Sequence, residues 1–291
     1  MSRPKGCLNK ATIARLAATL PSDLPDEVIL GEIKEQFTVA GILTDGAING
    51  EIRSLTIAGG PGVGKSHMVE QKLKDASTFL HTKYTIVSGG ISPVGLYKLG
   101  YEYSSPGSVI VLDDSDEILD KPEGVSILKA LCDSGQYRTV YWVKESAALK
   151  DDDGNPIPTS YEFEGTMIFI TNRNLRLMST GAKGGMAPHI KALMDRTLYI
   201  DLLIHNRQQL GVWVNHMASA TGIFEANGMT KEQGTEIMEY INAHRNDLET
   251  LSLRTITKAC DLMKTAIRIA KLHGSGVNFT QFANGTLLVR K

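Results

Sequence analysis

No apolar run in the 291-residue chain approaches the ~20 residues needed to span a bilayer, so no membrane partner is expected. Cysteine is scarce. Cys7, Cys132 and Cys260 lie far apart with no CxxC or Cys/His spacing, which argues against a zinc site and a disulfide framework and fits a reducing cytoplasm. Neither sign of charge is in excess: 31 Lys and Arg against 32 Asp and Glu leave a net −1. That balance argues against a wholly basic nucleic-acid coat, though it allows a local basic stripe. Internal repeats and low-complexity tracts are absent. His67, His189 and His205 are scattered, without a nucleophile or metal arrangement around them, so no small-molecule metabolic site stands out. Acids are missing from the first 20 residues, which carry Arg3, Lys5, Lys10 and Arg15. This composition is similar to an organelle transit peptide, but no cleavage signal follows and an ordinary helix is expected.

The remainder is ordinary for a globular chain, with 42% hydrophobic and 22% charged residues. Residues 8–20 and 26–42 have helical spacing, separated by the break from Pro21 to Pro25. From Ser54 the pattern changes. Short apolar runs at 54–58, 84–88, 108–112, 166–171 and 197–202 alternate with helical stretches at 65–80, 94–103 and 122–134. Continuous apolar character in such runs predicts strands covered on both faces, and the alternation predicts a parallel sheet built from βαβ units. Beyond about residue 205 helices dominate. Thr230-Lys231-Glu232-Gln233 reads as a capping box. A helix over 252–272 would place Ile256, Ala259, Met263, Ile267 and Ala270 on one stripe. The expected organisation is an α/β domain with N-terminal helices over 1–204 and a small helical domain over 205–291.

Gly59-Gly60-Pro61-Gly62-Val63-Gly64-Lys65-Ser66 satisfies the phosphate-loop pattern GxxxxGK[ST]. Glycines suit this loop because successive backbone N–H groups must turn inward around phosphates at φ/ψ values that side chains obstruct. Lys65 would reach the β- and γ-phosphates, and the Ser66 hydroxyl would ligate Mg²⁺. The helix starting at Lys65 aims its positive end at the same anion. About 50 residues on, Val109-Ile110-Val111-Leu112 ends in Asp113 and Asp114. In a parallel sheet this strand end lies beside the phosphate loop. Asp113 would hold Mg²⁺ through water, and Asp114 would polarise the attacking water.

Three later segments resemble AAA+ ATPases. Met167-Ile168-Phe169-Ile170-Thr171-Asn172 is similar to the sensor 1 strand, whose terminal Asn helps position the lytic water. Ala192-Leu193-Met194-Asp195-Arg196, followed by the run TLYIDL, is similar to the segment carrying the arginine finger. Leu251-Ser252-Leu253-Arg254-Thr255-Ile256 is similar to the sensor 2 helix, with Arg254 as the phosphate-sensing residue. The resemblance covers roughly residues 30–272, and the overall pattern looks like ATPases encoded by bacteriophages. It implies a three-layer α/β sandwich with a five-stranded parallel sheet, followed by a helical lid. It also implies ATP and Mg²⁺ as ligands and a homo-oligomer, most often of six subunits, in which Arg196 completes a neighbour's site. One departure stands out. Many relatives carry Glu where Asp114 stands, so slow hydrolysis, or a contribution from Asp116 or Glu117, stays open.

Thr139-Val140-Tyr141-Trp142-Val143 and Tyr161-Glu162-Phe163 flank a turn-forming centre, Asp151-Asp152-Asp153-Gly154-Asn155-Pro156, and read as a hairpin. Its position is similar to the pre-sensor hairpin of some AAA+ groups, but the acidic tip would repel phosphates. Tyr97, after the second strand, is expected to pack in a helix, and Lys183-Gly184-Gly185 to form a mildly basic loop. Three functions remain open: a motor or remodeller associated with DNA replication or recombination, a protein-remodelling ATPase, and an ATP-switched scaffold with little hydrolysis. The partners would be ATP, further copies of the chain, and DNA or a DNA-bound protein, in the cytoplasm.

Overall fold

The computed structural model describes residues 24–80, 82–143, 149–151, 153–180, 185–202, 204, 206–273 and 278–289. The helix expected over 8–20, the basic residues before it, Cys7, Asp152, Lys183, Gly184 and His205 lie outside them. The chain divides into two units. Its elements, in order, are α1 (Asp26–Ile48), β1 (Ser54–Gly59), α2 (Lys65–Leu80), β2 (Tyr84–Ser88), α3 (Pro93–Glu102), β3 (Val109–Asp113), a 3-10 turn (Asp116–Asp120), α4 (Pro122–Leu131), β4 (Thr139–Tyr141) and β5 (Ser160–Glu162). They continue with β6 (Thr166–Thr171), α5 (Leu175–Thr180), α6 (Ala187–Arg196), β7 (Leu198–Leu202), α7 (Arg207–Ala220), α8 (Ile223–Ala226), α9 (Lys231–Ala243), α10 (Leu253–His273) and α11 (Phe279–Thr286).

In the α/β unit, β1, β2, β3, β6 and β7 form one parallel sheet in the order β2-β3-β6-β1-β7. Every residue of β1, β3 and β6 is buried, as the continuous apolar runs imply for strands covered on both faces. Alternation within them sorts the side chains. Ile110, Leu112, Met167 and Phe169 join a cluster with Leu96, Tyr97 and Leu128, while Val109, Val111, Ile168 and Ile170 are equally buried outside it. The fold is therefore the expected α/β one, and each expected strand is present to within a residue at its ends.

Helix α4 stops at Leu131, short of the expected 134. The residues after it are held as a loop instead, the Gly135 carbonyl accepting a hydrogen bond from Arg53 Nη1 at 2.6 Å. The hairpin is present, with β4 antiparallel to β5 and Val140 opposite Tyr161. Its base is part of the core. Val140, Trp142, Ile157, Tyr161 and Phe163 are buried in the same cluster as Tyr97. The Tyr161 hydroxyl donates to the Tyr97 carbonyl and the Tyr97 hydroxyl to the Pro158 carbonyl, each at 2.8 Å. Tyr97 is thus fully buried in α3, where it packs as expected.

Among the described residues, the second unit comprises 24–35, Pro61–Val63 and those from 204 onward. Its core is built from α7 to α11 around Ile237, Ile241, Leu248, Ile256, Cys260 and Phe279. Capping boxes at Asn206/Gln209, Thr230/Gln233 and Asn278/Gln281 satisfy the first backbone N–H groups of α7, α9 and α11. On α10 the buried stripe runs through Ile256, Ala259 and Met263, but Ala270 is exposed. Residues 24–35 cluster with the helices, where Gln208 Nε2 donates to the Leu24 carbonyl and to Asp26 Oδ1 at 3.2 and 3.1 Å. No helix among the described residues is long and apolar enough to cross a membrane.

Because the hairpin base is core, Phe163→Ala should cost about 3–5 kcal/mol of stability, read from the urea midpoint of unfolding. A hairpin that merely projected from the surface would lose less than about 0.5 kcal/mol.

Candidate functional site

The strand order brings three distant segments to one edge of the sheet. Ala58 pairs with Thr171 and Ile170 with Asp113, so β1, β6 and β3 end within a residue of one another. In an open parallel sheet the carboxyl ends of the strands, at a change of strand direction, form the ligand crevice. Here the chain leaves β1 for the outer strand β2 and returns later through β3 and β6.

The glycine loop connects β1 to α2. Gly62 and Gly64 have φ of +70° and +109°, values that only glycine adopts without strain. Gly59 answers a different need. A Cβ there would stand 3.1 Å from Leu202 Cβ and 3.2 Å from the Leu202 carbonyl, so β1 and β7 would have to part by a few tenths of an ångström to finish side by side. The loop's tip, Pro61–Val63, groups with the helical unit. Trp213 Nε1 donates to the Val63 carbonyl at 2.8 Å and the Leu253 N–H to the Gly62 carbonyl at 3.0 Å.

Five of the expected side chains meet at this edge. Lys65 is buried, and its Nζ donates to the Gly59 carbonyl at 2.9 Å, the Gly60 carbonyl at 2.8 Å and Asn172 Oδ1 at 2.9 Å. Asn172 Nδ2 in turn donates to Asp114 Oδ1. Asn172 therefore bridges the loop lysine and the candidate base. Asp114 sits at φ +52°, the one described non-glycine residue with positive φ. Asp tolerates this region better than most residues, and such local strain clusters at functional sites. Beside this line, Ser66 Oγ donates to Asp113 Oδ1 at 2.9 Å.

Burial pushes the Asp113 carboxyl above its ordinary range, and the charges of Asp114 and Glu70 add to the effect. The Ser66 hydrogen bond and Lys65 pull it back. A buried carboxylate touching a hydroxyl suits Mg²⁺, which typically takes one or two protein oxygens and completes its shell with phosphates and water. No group of three or more His, Cys, Asp or Glu able to hold a metal gathers among the described residues. Ser66 and Asp113 fit the ion as a pair that needs a phosphate to complete it.

Of the other two expected residues, one stands at the far edge of the sheet and one beside the tip of the glycine loop. Arg196 ends α6, and its carbonyl accepts from Ser54 Oγ at 3.0 Å, at the start of β1. With about 3.3 Å per residue, five steps along β1 put it roughly 17 Å from the glycine loop, at the opposite edge of the sheet. Its guanidinium is engaged by Asp133 through Nε at 3.2 Å and by the Ala192 carbonyl through Nη1 at 2.8 Å. Arg254 lies exposed in the first turn of α10, beside the loop tip: a Cβ on Gly62 would stand 3.7 Å from its Cγ. Asp116, kept open as a second base, is occupied. Its Oδ1 accepts from Thr171 Oγ1 at 2.5 Å.

A five-stranded parallel sheet in this order, a glycine loop on β1, an acidic end on β3 and an Asn at the end of β6 define a P-loop protein of the AAA+ class. No protein-family model matches the chain. It is 33% identical over 234 residues to the 36.7 kDa protein of the nrdC-mobD intergenic region of Enterobacteria phage T4, which covers 80% of this chain and 70% of that one. The chain belongs to the family of that phage protein. Among solved structures it is similar to domain III of the replication initiation protein DnaA of Thermotoga maritima, with a TM-score of 0.49, 12% identity, and 87% of this chain and 88% of that chain covered. It is also similar to the Thermotoga maritima RuvB Holliday junction branch migration motor, with a TM-score of 0.35, 14% identity, and coverage of 92% and 83%. Likenesses at these scores bear on neither substrate nor partner.

The raised Asp113 carboxyl has a stability consequence. The native state binds this proton more tightly than the unfolded chain, so the group favours folding below about pH 4 and disfavours it as pH rises through the raised value. Asp113→Asn should therefore melt at a higher temperature than the parent near neutral pH without nucleotide, and the gap should close as pH falls toward 4. A variant that melts lower near neutral pH would contradict this balance.

Proposed function

We propose that the chain binds ATP with Mg²⁺ at this edge and hydrolyses it in a homo-oligomer, most simply of six subunits. The observation that carries the reading is the line Lys65–Asn172–Asp114 beside the Ser66–Asp113 pair. Lys65 would exchange its carbonyl and amide partners for phosphate oxygens, with the backbone N–H groups of Gly59 to Ser66 cradling the rest. Mg²⁺, held by Ser66 and Asp113, would supply Lewis-acid stabilisation of the charge on the phosphates. Asn172 would orient the attacking water and Asp114 would accept its proton. Arg254, at the start of α10, would read the γ-phosphate.

Arg196 stands at the wrong edge of the sheet to serve its own subunit's loop, which supports its acting on the nucleotide of a neighbour. DNA is the first polymer to test, on the sequence's likeness to phage ATPases, and a protein substrate is the alternative. One feature favours a second reading, a switched scaffold with little hydrolysis. Asp114 is a methylene shorter than the Glu of many relatives and is held back by Asn172. Turnover stimulated by DNA, turnover stimulated only by a partner protein, and assembly with negligible turnover separate the three.

Lys65→Ala should abolish or greatly weaken ATP binding in a fluorescent-nucleotide titration. Arg196→Ala should bind ATP nearly as the parent does but turn it over about 10³–10⁵-fold more slowly. Mixed with Asp114→Asn, it should recover part of that rate, because some interfaces then pair an intact Arg196 with an intact Asp114. Unchanged turnover in Arg196→Ala would contradict the shared site, as would mixtures no faster than the sum of the two variants.

A further inference from the structure

The residues flanking Asn172 perform a task that no motif marks. Thr171 and Arg173, the neighbours of Asn172 on either side, both grip the 3-10 turn that follows Asp114. Thr171 Oγ1, fully buried, donates to Asp116 Oδ1 at 2.5 Å and accepts from the Arg173 N–H at 3.0 Å. The Arg173 guanidinium clasps the far end of the turn, with Nη1 and Nη2 on the two carboxylate oxygens of Asp120 at 2.5 and 2.7 Å. Its Nε lies 4.0 Å from Asp116 Oδ2. The turn itself is seated from below by Ile118 and Leu119, both fully buried.

Asp114, itself exposed, is thus bracketed by anchored neighbours. On one side Asp113 is held by the sheet and Ser66; on the other, Asp116 is held by Thr171. A residue at positive φ has no regular backbone ladder to fix it, so its placement depends on such anchors. Successive residues of an extended chain point to opposite sides. Asn172 accordingly faces Lys65 and Asp114 while Thr171 and Arg173 hold the turn.

We propose that Arg173, through its two-pronged contact with Asp120, is a positioning residue that sets the Asn172–Asp114 pair over the phosphate loop. The inference rests on the nucleotide reading of that loop. Arg173 touches neither the loop nor the reacting atoms and acts by fixing the distance between two strand ends. Its side chain and that of Asp120 are 32% and 59% exposed, so the pair contributes little to global stability. Misplacing the reacting groups, by contrast, is costly. This difference separates a positioning role from a structural one.

The test uses the full chain with Arg173→Ala, Arg173→Lys, Asp120→Ala and the double Ala variant. Arg173→Ala and Asp120→Ala should each lower kcat for ATP about 10–100-fold. The affinity for a fluorescent ADP analogue should change little, and Tm should move by less than about 4 °C. The double variant should be no worse than either single one, because both remove the same contact. Arg173→Lys, which keeps the charge but not the fork, should fall between. A second readout does not need turnover. Because Asn172 faces the γ-phosphate position in this reading, Arg173→Ala should reduce the preference for ATP over ADP in equilibrium binding. Unchanged kcat together with an unchanged ATP-over-ADP preference would overturn the proposal, and so would kcat, affinity and Tm falling together. A parent chain that binds ATP but shows no turnover would instead defeat the hydrolysis reading, leaving the nucleotide preference to decide the role of Arg173.

Discussion

Because β6 runs between β1 and β3, a glycine loop, an acidic pair and an asparagine more than a hundred residues apart in sequence finish within hydrogen-bonding reach. Everything else at the site depends on that placement. The parallel register fixes which residues come level. A shift of one residue along β6 would turn Thr171 and Asn172 to each other's side, breaking both the bridge to Lys65 and the grip on the 3-10 turn. The register is in turn secured by the burial of every residue of the three strands on both faces.

Charge at this edge is balanced internally but not comfortably. Lys65 is buried and donates to two carbonyls and an amide. Asp113 is buried beside two further acids and bonds only weakly compensating partners. Asp114 adopts a backbone conformation that favours glycine. The raised Asp113 carboxyl and the positive φ of Asp114 each cost the isolated fold something, and a divalent cation would relieve the first. Sites built for function commonly trade stability in this way.

Much of this was legible in the sequence because it is local. The phosphate loop is contiguous, the strands are continuous apolar runs, and Asp113, Asp114 and Asn172 stand where hydrophobic runs stop. The capping box at Thr230 is likewise a four-residue pattern. What stayed hidden depends on contacts between segments. Nothing near Arg173 or Asp120 marks them as partners, since their pairing follows from β3 and β6 being neighbours. Asp116 looks as free as Asp114 in the sequence and is recognisable as a structural acceptor only beside Thr171. The grouping of residues 24–35 with the helical unit rests on Gln208, some 180 positions away. Ala270 fits the helical stripe, yet the stripe is longer than the core it packs against.

Arg196 is where the central claim is most exposed. Its place at the start of β1 and β7, paired with Asp133, is equally that of an ordinary helix-ending cation, which would favour the helix dipole and do nothing more. If it serves a neighbouring subunit, a single copy of the chain holds only part of a working site. The most direct measurement is therefore ATP turnover per subunit, with Mg²⁺, across a wide range of protein concentration. The account predicts a rate that rises with concentration in step with assembly and is negligible where the chain is monomeric. A monomer turning over ATP at a constant rate per subunit would contradict it.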